Sequence, residues 1–336
     1  MLTLSVRDDE AELELETLAY PLSPAAQTDL IRLLRSEWTR TDYDWLEAMH
    51  GDYGEALAIT SVLARRQGEP VSTATIHFAR HHPEVAVLGG VLTDRDHRDR
   101  GLAGRVIEVA LAQAKTAGCK VCLLGTARKP HNVYMRHGFA WQNGSVMRRS
   151  FGAADFEQEY FAAGQPAEIR PANWGDLPGL TLLVTQPLAT VCLDYPRGLL
   201  SGRYLPLERC LSNFPVLWYE TAARGGLLSV LAEPRTARVF GFGSATRAPG
   251  SGRGHTATID FATHENYEAQ LPELLDQVLA GCRQRGIKQT QAFIAAGNDA
   301  KFRGLRAAGF AEIGKLAAAL KLGREMHDVV LLGKSL

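Results

Sequence analysis

Hydrophobic and polar positions follow a strand–helix–strand pattern between residues 85 and 124. An apolar run from Val85 to Leu92 predicts a buried strand, and polar residues from Thr93 to Arg100 follow it. Apolar residues then recur at helical spacing, which predicts a helix with one buried face: Val106, Ile107, Ala110, Leu111 and Ala114. Gly118 is a typical helix stop, and the run from Val121 to Leu124 predicts the next strand.

The same periodicities predict the elements that precede this unit. Residues 2 to 6 alternate between apolar and polar, which is typical of an edge strand. Ser23 and Pro24 stand as a cap and a first-turn proline before a helical pattern. The β-rich runs from Ala58 to Ala64 and from Val71 to Phe78 are separated by a charged turn, so they predict a hairpin.

The predicted helix opens with the small-residue stretch Gly101-Leu102-Ala103-Gly104. The first N–H groups of a helix have no partner inside the helix, and they lie at the positive end of its dipole. Small residues let an anion approach that backbone closely, and Arg98 and Arg100 add positive charge. The turn is therefore suited to a pyrophosphate, although a tight turn without a ligand gives a similar pattern.

Two motifs in this region resemble those of the GNAT acyltransferase superfamily. The order Arg98-x-x-Gly101-x-Ala103, after a strand and before a helix, is similar to that family's acetyl-CoA pyrophosphate loop. Farther on, Tyr134-Met-Arg-His-Gly138-Phe139 resembles its Tyr-x-x-x-Gly-Phe motif, whose tyrosine often protonates the departing CoA thiolate. The resemblance covers residues 55 to 150 and implies a catalytic role for Tyr134.

The resemblance also implies which residues bind the co-substrate, acetyl-CoA or another acyl-CoA. Val91, Leu92 and Thr93 fall where that family's strand meets the acyl group and the pantetheine arm. The full set of implied CoA-binding residues is Val91, Leu92, Thr93, Arg98, Asp99, Arg100, Gly101, Leu102, Ala103, Gly104 and Asn132.

Aromatic residues crowd the stretch from Trp38 to Tyr53, with carboxylates among them. One interpretation is a helix that packs its aromatics on a sheet. The other is an acceptor pocket for an amine, lined by Trp38, Tyr43 and Trp45, which the GNAT resemblance favours.

The general base that would deprotonate the amine is not identified by the sequence. The candidates are Glu37, Asp42, Asp44, His77 and Glu84, and a chain of water molecules is the alternative. No Ser-His-Asp order or activated cysteine is evident, so direct transfer without an acyl-enzyme is expected.

The chain repeats its apolar pattern after a shift of 168 residues. The five apolar helix positions fall on Leu274, Leu275, Val278, Leu279 and Cys282. Gly118 falls on Gly286, and Gly138-Phe139 recurs three residues out of register as Gly309-Phe310. The sequence therefore predicts a second unit of the same kind.

The residues that carry the chemistry do not repeat. Arg98 becomes Asn266, Gly101 becomes Ala269, Ala103 becomes Leu271, and Tyr134 becomes Leu305. Because the guanidinium is lost and a leucine obstructs the turn, the second unit is predicted to be a non-catalytic, degenerate GNAT-like domain. It could close the acceptor site, bind part of the acceptor or support the first domain.

These observations predict an α+β fold with two tandem GNAT-like domains. Each domain would have a mixed, mostly antiparallel central sheet flanked by helices. The predicted boundaries are residues 1–150 for the catalytic domain, 151–165 for a connector that packs partly on the first domain, and 166–336 for the degenerate domain.

The composition limits which binding partners and which cellular compartment are expected. The 336 residues suit two domains, and 37 basic residues balance 37 acidic ones, which gives no electrostatic argument for nucleic acid or membrane. Five cysteines argue against a disulfide framework, and the lone Cys119-x-x-Cys122 is expected to be structural. No metal is predicted, because no third ligand accompanies His81 and His82 by spacing. The start of the chain shows no signal-peptide pattern, so a cytoplasmic location is expected.

Three function classes remain open at this stage. The leading one is an N-acyltransferase that moves an acyl group, most simply acetyl, from CoA to the primary amine of a small molecule. An aminoacyl-tRNA-dependent transferase of the tandem-GNAT type is the second, although the intact loop and the zero net charge argue against it. The third is a CoA-binding regulatory protein without turnover. A monomer or a homodimer is expected.

Overall fold

The structure, a computed structural model, divides into two compact units, one ending at Phe156 and one beginning at Glu157. It describes residues 3–6, 13–38, 53–126, 132–143, 145–152, 154–186, 192–193, 199–200, 221, 225–236, 238–248, 250, 252–322 and 324–336. The sequence-predicted α+β class, with two mixed and mostly antiparallel sheets flanked by helices, is confirmed.

The first unit is built on an eight-stranded sheet. Its strands are β1 (Thr3–Val6), β2 (Leu13–Ala19), β3 (Leu57–Arg66), β4 (Glu69–Ala79), β5 (Val85–Thr93), β6 (Val121–Gly125), β7 (Ala140–Asn143) and β8 (Val146–Ser150). They lie side by side in the order β1-β2-β3-β4-β5-β6-β8-β7. All neighbours are antiparallel except β5 and β6, which run parallel.

Helices cover both faces of this sheet. They are α1 (Pro24–Arg35), α2 (Leu102–Ala117) and the short α3 (Asn132–Arg136), and α4 (Phe156–Tyr160) spans the division between the units. Leu63 of β3 packs in the cluster of α1, whereas its neighbours Val62 and Ala64 pack in the cluster of α2. Since alternate strand residues point to opposite faces, α1 and α2 lie on opposite sides of the sheet.

The ends of α1 and α2 follow the predicted signals. The Ser23 hydroxyl accepts a hydrogen bond from the N–H of Ala26 at 3.3 Å, which caps α1. Helix α2 ends at Gly118, whose φ of 98° lies in the left-handed region that favours glycine. The predicted hairpin is also present, with β3 and β4 joined through Gln67 and Gly68.

The second unit is built on a seven-stranded sheet in the order β16-β17-β15-β14-β13-β12-β9. Its strands are β9 (Glu168–Pro171), β12 (Leu227–Ala232), β13 (Val239–Arg247), β14 (Thr256–Thr263), β15 (Gln289–Ala295), β16 (Ala311–Leu322) and β17 (Glu325–Ser335). A separate two-stranded ladder joins β10 (Cys192–Leu193) to β11 (Leu199–Leu200). The helices are α5 (Leu177–Thr185), α6 (Leu271–Gln284) and α7 (Asp299–Ala307).

The predicted repeat has a structural counterpart. In each unit a strand, a helix and a second strand follow one another, and the two strands pair in parallel: β5 with β6, and β14 with β15. The buried apolar face of α6 is the predicted one, since Leu274, Leu275, Val278, Leu279 and Cys282 are all buried.

The predicted connector divides between the two units. Phe151 packs against the core of the first unit. From Glu157 onward the chain packs in the second unit, where the Tyr160 hydroxyl accepts a 2.8 Å hydrogen bond from the N–H of Val239. The carbonyl oxygen of Ala162 likewise accepts a 2.7 Å hydrogen bond from the Tyr267 hydroxyl. These hydrogen bonds hold residues 157–165 on the rest of the second unit.

Candidate functional site

The sheet of the first unit opens between β5 and β6. Their parallel pairing covers Val85 to Val87 on β5 and Val121 to Leu123 on β6. Both strands continue past this point, β5 as far as Thr93 and β6 as far as Gly125. The edge of β5 beyond Val87 is therefore turned away from β6, and its backbone groups can pair with a ligand instead.

A β-bulge accompanies this opening. Thr75 of β4 pairs with Gly89 and Thr73 pairs with Leu92, so two residue steps on β4 oppose three on β5. Gly90, inside the bulge, has a φ of 59°, which a residue without a Cβ adopts without strain. Gly89, Gly90 and Val91 are all partly exposed at this place. The bulge thus leaves a stretch of backbone without bulky side chains at the opening.

The turn after β5 presents an uncapped helix start. Asp94 caps a 3₁₀ turn from Arg95 to His97, and Asp99 and Gly101 have φ values of 62° and 74°. Gly101 is the N-cap of α2 and makes no side-chain cap hydrogen bond. Because the next three N–H groups of a helix have no acceptor within it, they form a donor set for an anion at the end of β5.

The predicted loop residues differ in what they can offer to a ligand. The side chain of Leu102 is buried in the core, so only its backbone N–H can contact a ligand. Ala103 and Gly104 are partly exposed, and Asp99 and Arg100 are exposed. Asn132 is exposed at the start of α3. These residues are candidates for CoA binding by their position.

Arg98 is held by an acidic partner that the sequence did not reveal. Its Nη2 donates a hydrogen bond to Glu37, and its Nε donates to the carbonyl oxygen of Thr93 at 3.2 Å. Arg95 Nε also donates to Glu37, at 2.7 Å. These hydrogen bonds, first that from Arg95, lower the pKa of Glu37. Glu37 therefore ties the end of α1 to the loop and is a poor candidate for the general base.

Tyr134 lies on the short helix α3, and the residues that follow this helix approach the start of α2. Tyr134 is partly exposed, and its ring meets that of Phe139 edge to face with the centroids 6.3 Å apart. A Cβ placed on Gly104 would lie 3.3 Å from Nε2 of His137, just past the end of α3. The start of α2 and the tyrosine-bearing segment are thus in direct contact. Burial lowers the pKa of His137, which favours its neutral form.

The other candidates for the base and the acceptor site have different environments. Burial lowers the pKa of His77 to about 4, so its imidazole is neutral at physiological pH. Trp38 is partly exposed and packs against the cluster that α1 forms with the sheet. Glu84 is partly exposed. Tyr43, Trp45, Asp42 and Asp44 lie outside the described residues.

The cysteine pair is in an unreactive setting. Cys119 and Cys122 are both buried, and burial raises the pKa of the Cys119 thiol to about 12 and that of Cys122 as well. Within the described residues, no three His, Cys, Asp or Glu side chains are grouped so as to hold a metal ion. Among those residues, no helix has the length and apolar character needed to cross a bilayer.

The second unit fills the corresponding opening with its own side chains. Pairing of β14 with β15 covers Thr256 to Thr258, although both strands continue. Counted from the first paired residue, Asp260 stands where β5 has Gly89. Asp260 forms a buried ion pair with Lys301 of α7. A charged pair therefore occupies the position that is a glycine in the first unit.

The substituted motif residues of the second unit also serve packing. The Asn266 side-chain amide donates a 2.9 Å hydrogen bond to the carbonyl oxygen of Phe161. Leu305, which stands in place of the tyrosine, is fully buried in the core. Leu271 begins α6 and packs against the same core. These contacts give the three residues structural roles in the second unit.

Comparison with known proteins agrees with the geometry of the first unit. The sequence model described as the Acetyltransferase (GNAT) family matches residues 28–139. Among the functionally curated proteins, none matches the chain.

Several solved structures resemble about half of the chain. A GNAT superfamily phosphinothricin acetyltransferase from Sinorhizobium meliloti, in complex with AcCoA, has 17% identity and a TM-score of 0.44, covering 51% of this chain and 88% of that chain. A ribosomal-protein-alanine N-acetyltransferase from Brucella melitensis has 23% identity and a TM-score of 0.41, covering 50% and 99%. An acetyltransferase of the GNAT family from Streptococcus pneumoniae has 17% identity and a TM-score of 0.42, covering 51% and 100%.

The matched residues contain the opened sheet, the uncapped turn before α2 and Tyr134. Residues 28–139 thus match the GNAT acetyltransferase family.

Proposed function

We propose that the N-terminal domain transfers an acyl group, most simply acetyl, from CoA to the primary amine of a small molecule. The observation that carries this proposal is the uncapped start of α2 at Gly101, directly after the strand along which the sheet opens. Such a turn suits the pyrophosphate of CoA, and the free edge of β5 suits the pantetheine arm, an extended chain with amide groups. Val91, Leu92 and Thr93 would pair with that arm through their backbone.

The reaction is a direct transfer. The amine nitrogen forms a bond to the thioester carbonyl carbon, and the carbon–sulfur bond breaks. The thiolate takes a proton from the Tyr134 hydroxyl, the amine gives up a proton to solvent, and the tyrosinate then regains a proton from solvent. Tyr134 is suited to this role because its helix touches the first turn of α2 through His137 and Gly104.

The acceptor site is proposed near Trp38, Tyr43 and Trp45. Trp38 follows α1 and is partly exposed, and Leu33 and Leu34 of that helix pack against Leu92 of β5. Aromatic side chains there would hold the apolar part of an amine beside the acyl-carrying strand. Because Glu37 is occupied by two guanidinium groups, recognition of the ammonium would fall to other groups.

The second unit is proposed to be non-catalytic. Its sheet opening holds the Asp260–Lys301 pair, and its Tyr134 counterpart is the buried Leu305. We retain residues 1–150, 151–165 and 166–336 as the proposed catalytic domain, connector and degenerate domain. Binding of a single CoA per chain follows from this assignment.

Gly101→Leu is expected to abolish CoA binding, because a side chain at the N-cap would stand in the path of the pyrophosphate. Gly118→Leu, at the other end of α2, is the control variant for effects of Gly101→Leu on the fold. Both glycines have a left-handed φ, and a Cβ at either would meet nothing within 4 Å. Both substitutions should therefore lose a similar ~1–2 kcal/mol of stability from strain. Calorimetry should find one CoA per chain for wild type and Gly118→Leu and none for Gly101→Leu.

The proposed function is tested by turnover. Purified protein, acetyl-CoA and a panel of amines, namely amino acids, amino sugars and simple alkylamines, should release CoA thiol and give the N-acetylated amine by mass spectrometry. Tight CoA binding without acetylation of any panel amine would favour a regulatory role. Failure of the wild-type chain to bind CoA would refute the proposal.

A further inference from the structure

Three hydroxyl groups form a chain across the first sheet. Ser61 Oγ lies 2.9 Å from Tyr20 Oη and 2.6 Å from Thr75 Oγ1. Ser61 is fully buried and Thr75 is 2% exposed. Buried hydroxyls of this kind polarise one another, since each donates one hydrogen bond while it accepts another.

The chain of hydroxyls ends at the opening of the sheet. Thr75 pairs with Ser61 of β3 on one side and with Gly89 of β5 on the other. Gly89 has no side chain, is partly exposed and lies two residues beyond Val87, where pairing with β6 stops. On this row of the sheet, the Thr75 hydroxyl is therefore the polar side chain next to the opening.

The acidity of the phenol favours one direction for this chain of hydrogen bonds. A phenol is a stronger hydrogen-bond donor than an alcohol, which favours Tyr20 as the donor to Ser61 and leaves the Ser61 hydrogen to be donated to Thr75. Burial raises the pKa of Tyr20 to about 12, which keeps its proton in place at physiological pH. In that arrangement the hydrogen of Thr75 remains for donation at the Gly89 end of the chain.

We propose that Thr75 donates a hydrogen bond to the carbonyl oxygen of the acyl thioester, with Ser61 and Tyr20 as positioning residues. This inference rests on the proposed function. In that function CoA runs from the turn at Gly101 back along β5, past Thr93 and Val91. Its acyl end would then lie toward Gly89, the strand neighbour of Thr75.

The chemical benefit arises in the transition state. As the amine attacks, negative charge develops on the carbonyl oxygen, and a donor fixed beforehand stabilises it without reorganisation. Thr75 keeps its proton throughout, while the thiolate still receives its proton from Tyr134 and the amine proton still goes to solvent. The hydroxyl chain would complement the backbone N–H groups of β5.

Thr75→Val tests the proposal, because it removes the hydroxyl and keeps the shape. We expect kcat to fall about 10²-fold, as for other single donors to a developing oxyanion, with CoA affinity unchanged. Thr75→Ser retains the hydroxyl and should retain most of the activity. The assay is release of CoA thiol from acetyl-CoA with the fastest panel amine, or with water as the acceptor.

Thr73→Val is the matched control. Thr73 lies two residues earlier on β4 and is fully buried between Leu63 and Leu92, its neighbours in β3 and β5. Within the described part of the chain its hydroxyl has no hydrogen-bond partner. Since Leu63 and Leu92 both pack in the cluster of α1, this hydroxyl is covered by the helix. Its removal should leave kcat unchanged.

Tyr20→Phe tests whether the chain acts through Thr75. The phenylalanine keeps the ring but removes the donor that orients Ser61, so kcat should fall by a smaller factor than in Thr75→Val. The double variant should be no slower than Thr75→Val alone, because residues that act as a unit are non-additive. Additive losses would assign Tyr20 an independent role.

Two results would overturn the inference. One is wild-type kcat in Thr75→Val, and the other is an equal loss in Thr75→Ser and Thr75→Val, which would indicate packing. In both cases the wild-type chain binds and turns over acetyl-CoA, so the proposed function stands. Absence of CoA binding in the wild-type chain is the separate result that removes the proposed function itself.

Discussion

Tyr134→Phe is expected to lower kcat by roughly 10²–10⁴-fold, the range typical of general acid catalysis. The phenylalanine ring can keep the edge-to-face contact with Phe139 and the packing against the core. Only the proton donor for the CoA thiolate is lost. Affinity for CoA should therefore be unchanged, and steady-state turnover together with calorimetry separates the two quantities.

The leaving group offers a control within the same variant. If Tyr134 protonates the thiolate, an acyl donor whose thiol is more acidic needs that proton less. The ratio of wild-type to Tyr134→Phe rates should then shrink with such a donor. A ratio that stays constant, or wild-type turnover of acetyl-CoA by the variant, would assign Tyr134 to packing.

Periodicity and turn signals were sufficient to predict the central unit of each domain. The strand β5, helix α2 and strand β6 begin and end within a residue or two of their predicted bounds, because their apolar faces are regular and glycines mark the turns. The second unit followed from repetition of the same apolar face in α6. Strand β2 was not predicted, since its partly exposed pattern gives a weak signal.

Contacts between distant segments could not be predicted from spacing. Glu37 stands 61 residues before Arg98, and nothing local indicates that they pair. The hydroxyl chain was likewise hidden, because Tyr20, Ser61 and Thr75 come from three different strands or their ends.

The loop has a different electrostatic character from the one its sequence indicated. Arg98 was expected to add positive charge to the loop. In the structure, Glu37 forms ion pairs with both Arg98 and Arg95 and offsets part of that charge. The backbone N–H groups at the start of α2 are then the most direct contribution of the loop to anion binding. Arg98 also holds the loop against the end of α1 through Glu37. In this arrangement the loop shape is fixed before CoA binds, which reduces the conformational entropy lost on binding.

Breaking the buried Asp260–Lys301 pair is expected to destabilise the second unit by about 3–5 kcal/mol, the usual cost of leaving one charge buried without its partner. The side chains are 5% and 6% exposed, respectively. Lys301 also lies over the ring of Phe261, 5.3 Å from its centroid, and Asp260 accepts a 2.8 Å hydrogen bond from the N–H of Phe261. Lys301→Met and Asp260→Leu should each lower the urea midpoint of the full chain.

The exposed pair Lys315–Asp328 in the same unit is the matched control. Its side chains are 55% and 33% exposed, and its N···O distance is 2.6 Å. Because solvent screens such a pair, Lys315→Met should leave the urea midpoint nearly unchanged. The Asp260→Leu/Lys301→Met double variant should lose less than the sum of the two single variants, since it removes both charges together.

The same variants test the proposed reason why the second unit would not bind CoA. The pair stands at the sheet opening, but Leu271 and Ala269 replace the small residues of the phosphate turn. Removing the ion pair from the sheet opening of the second unit should therefore change its stability without creating a second CoA site. Calorimetry on the folded double variant should still give one CoA per chain. A second equivalent of CoA would show that the ion pair alone had kept the cofactor out, and that the turn of the second unit remains competent to bind a pyrophosphate.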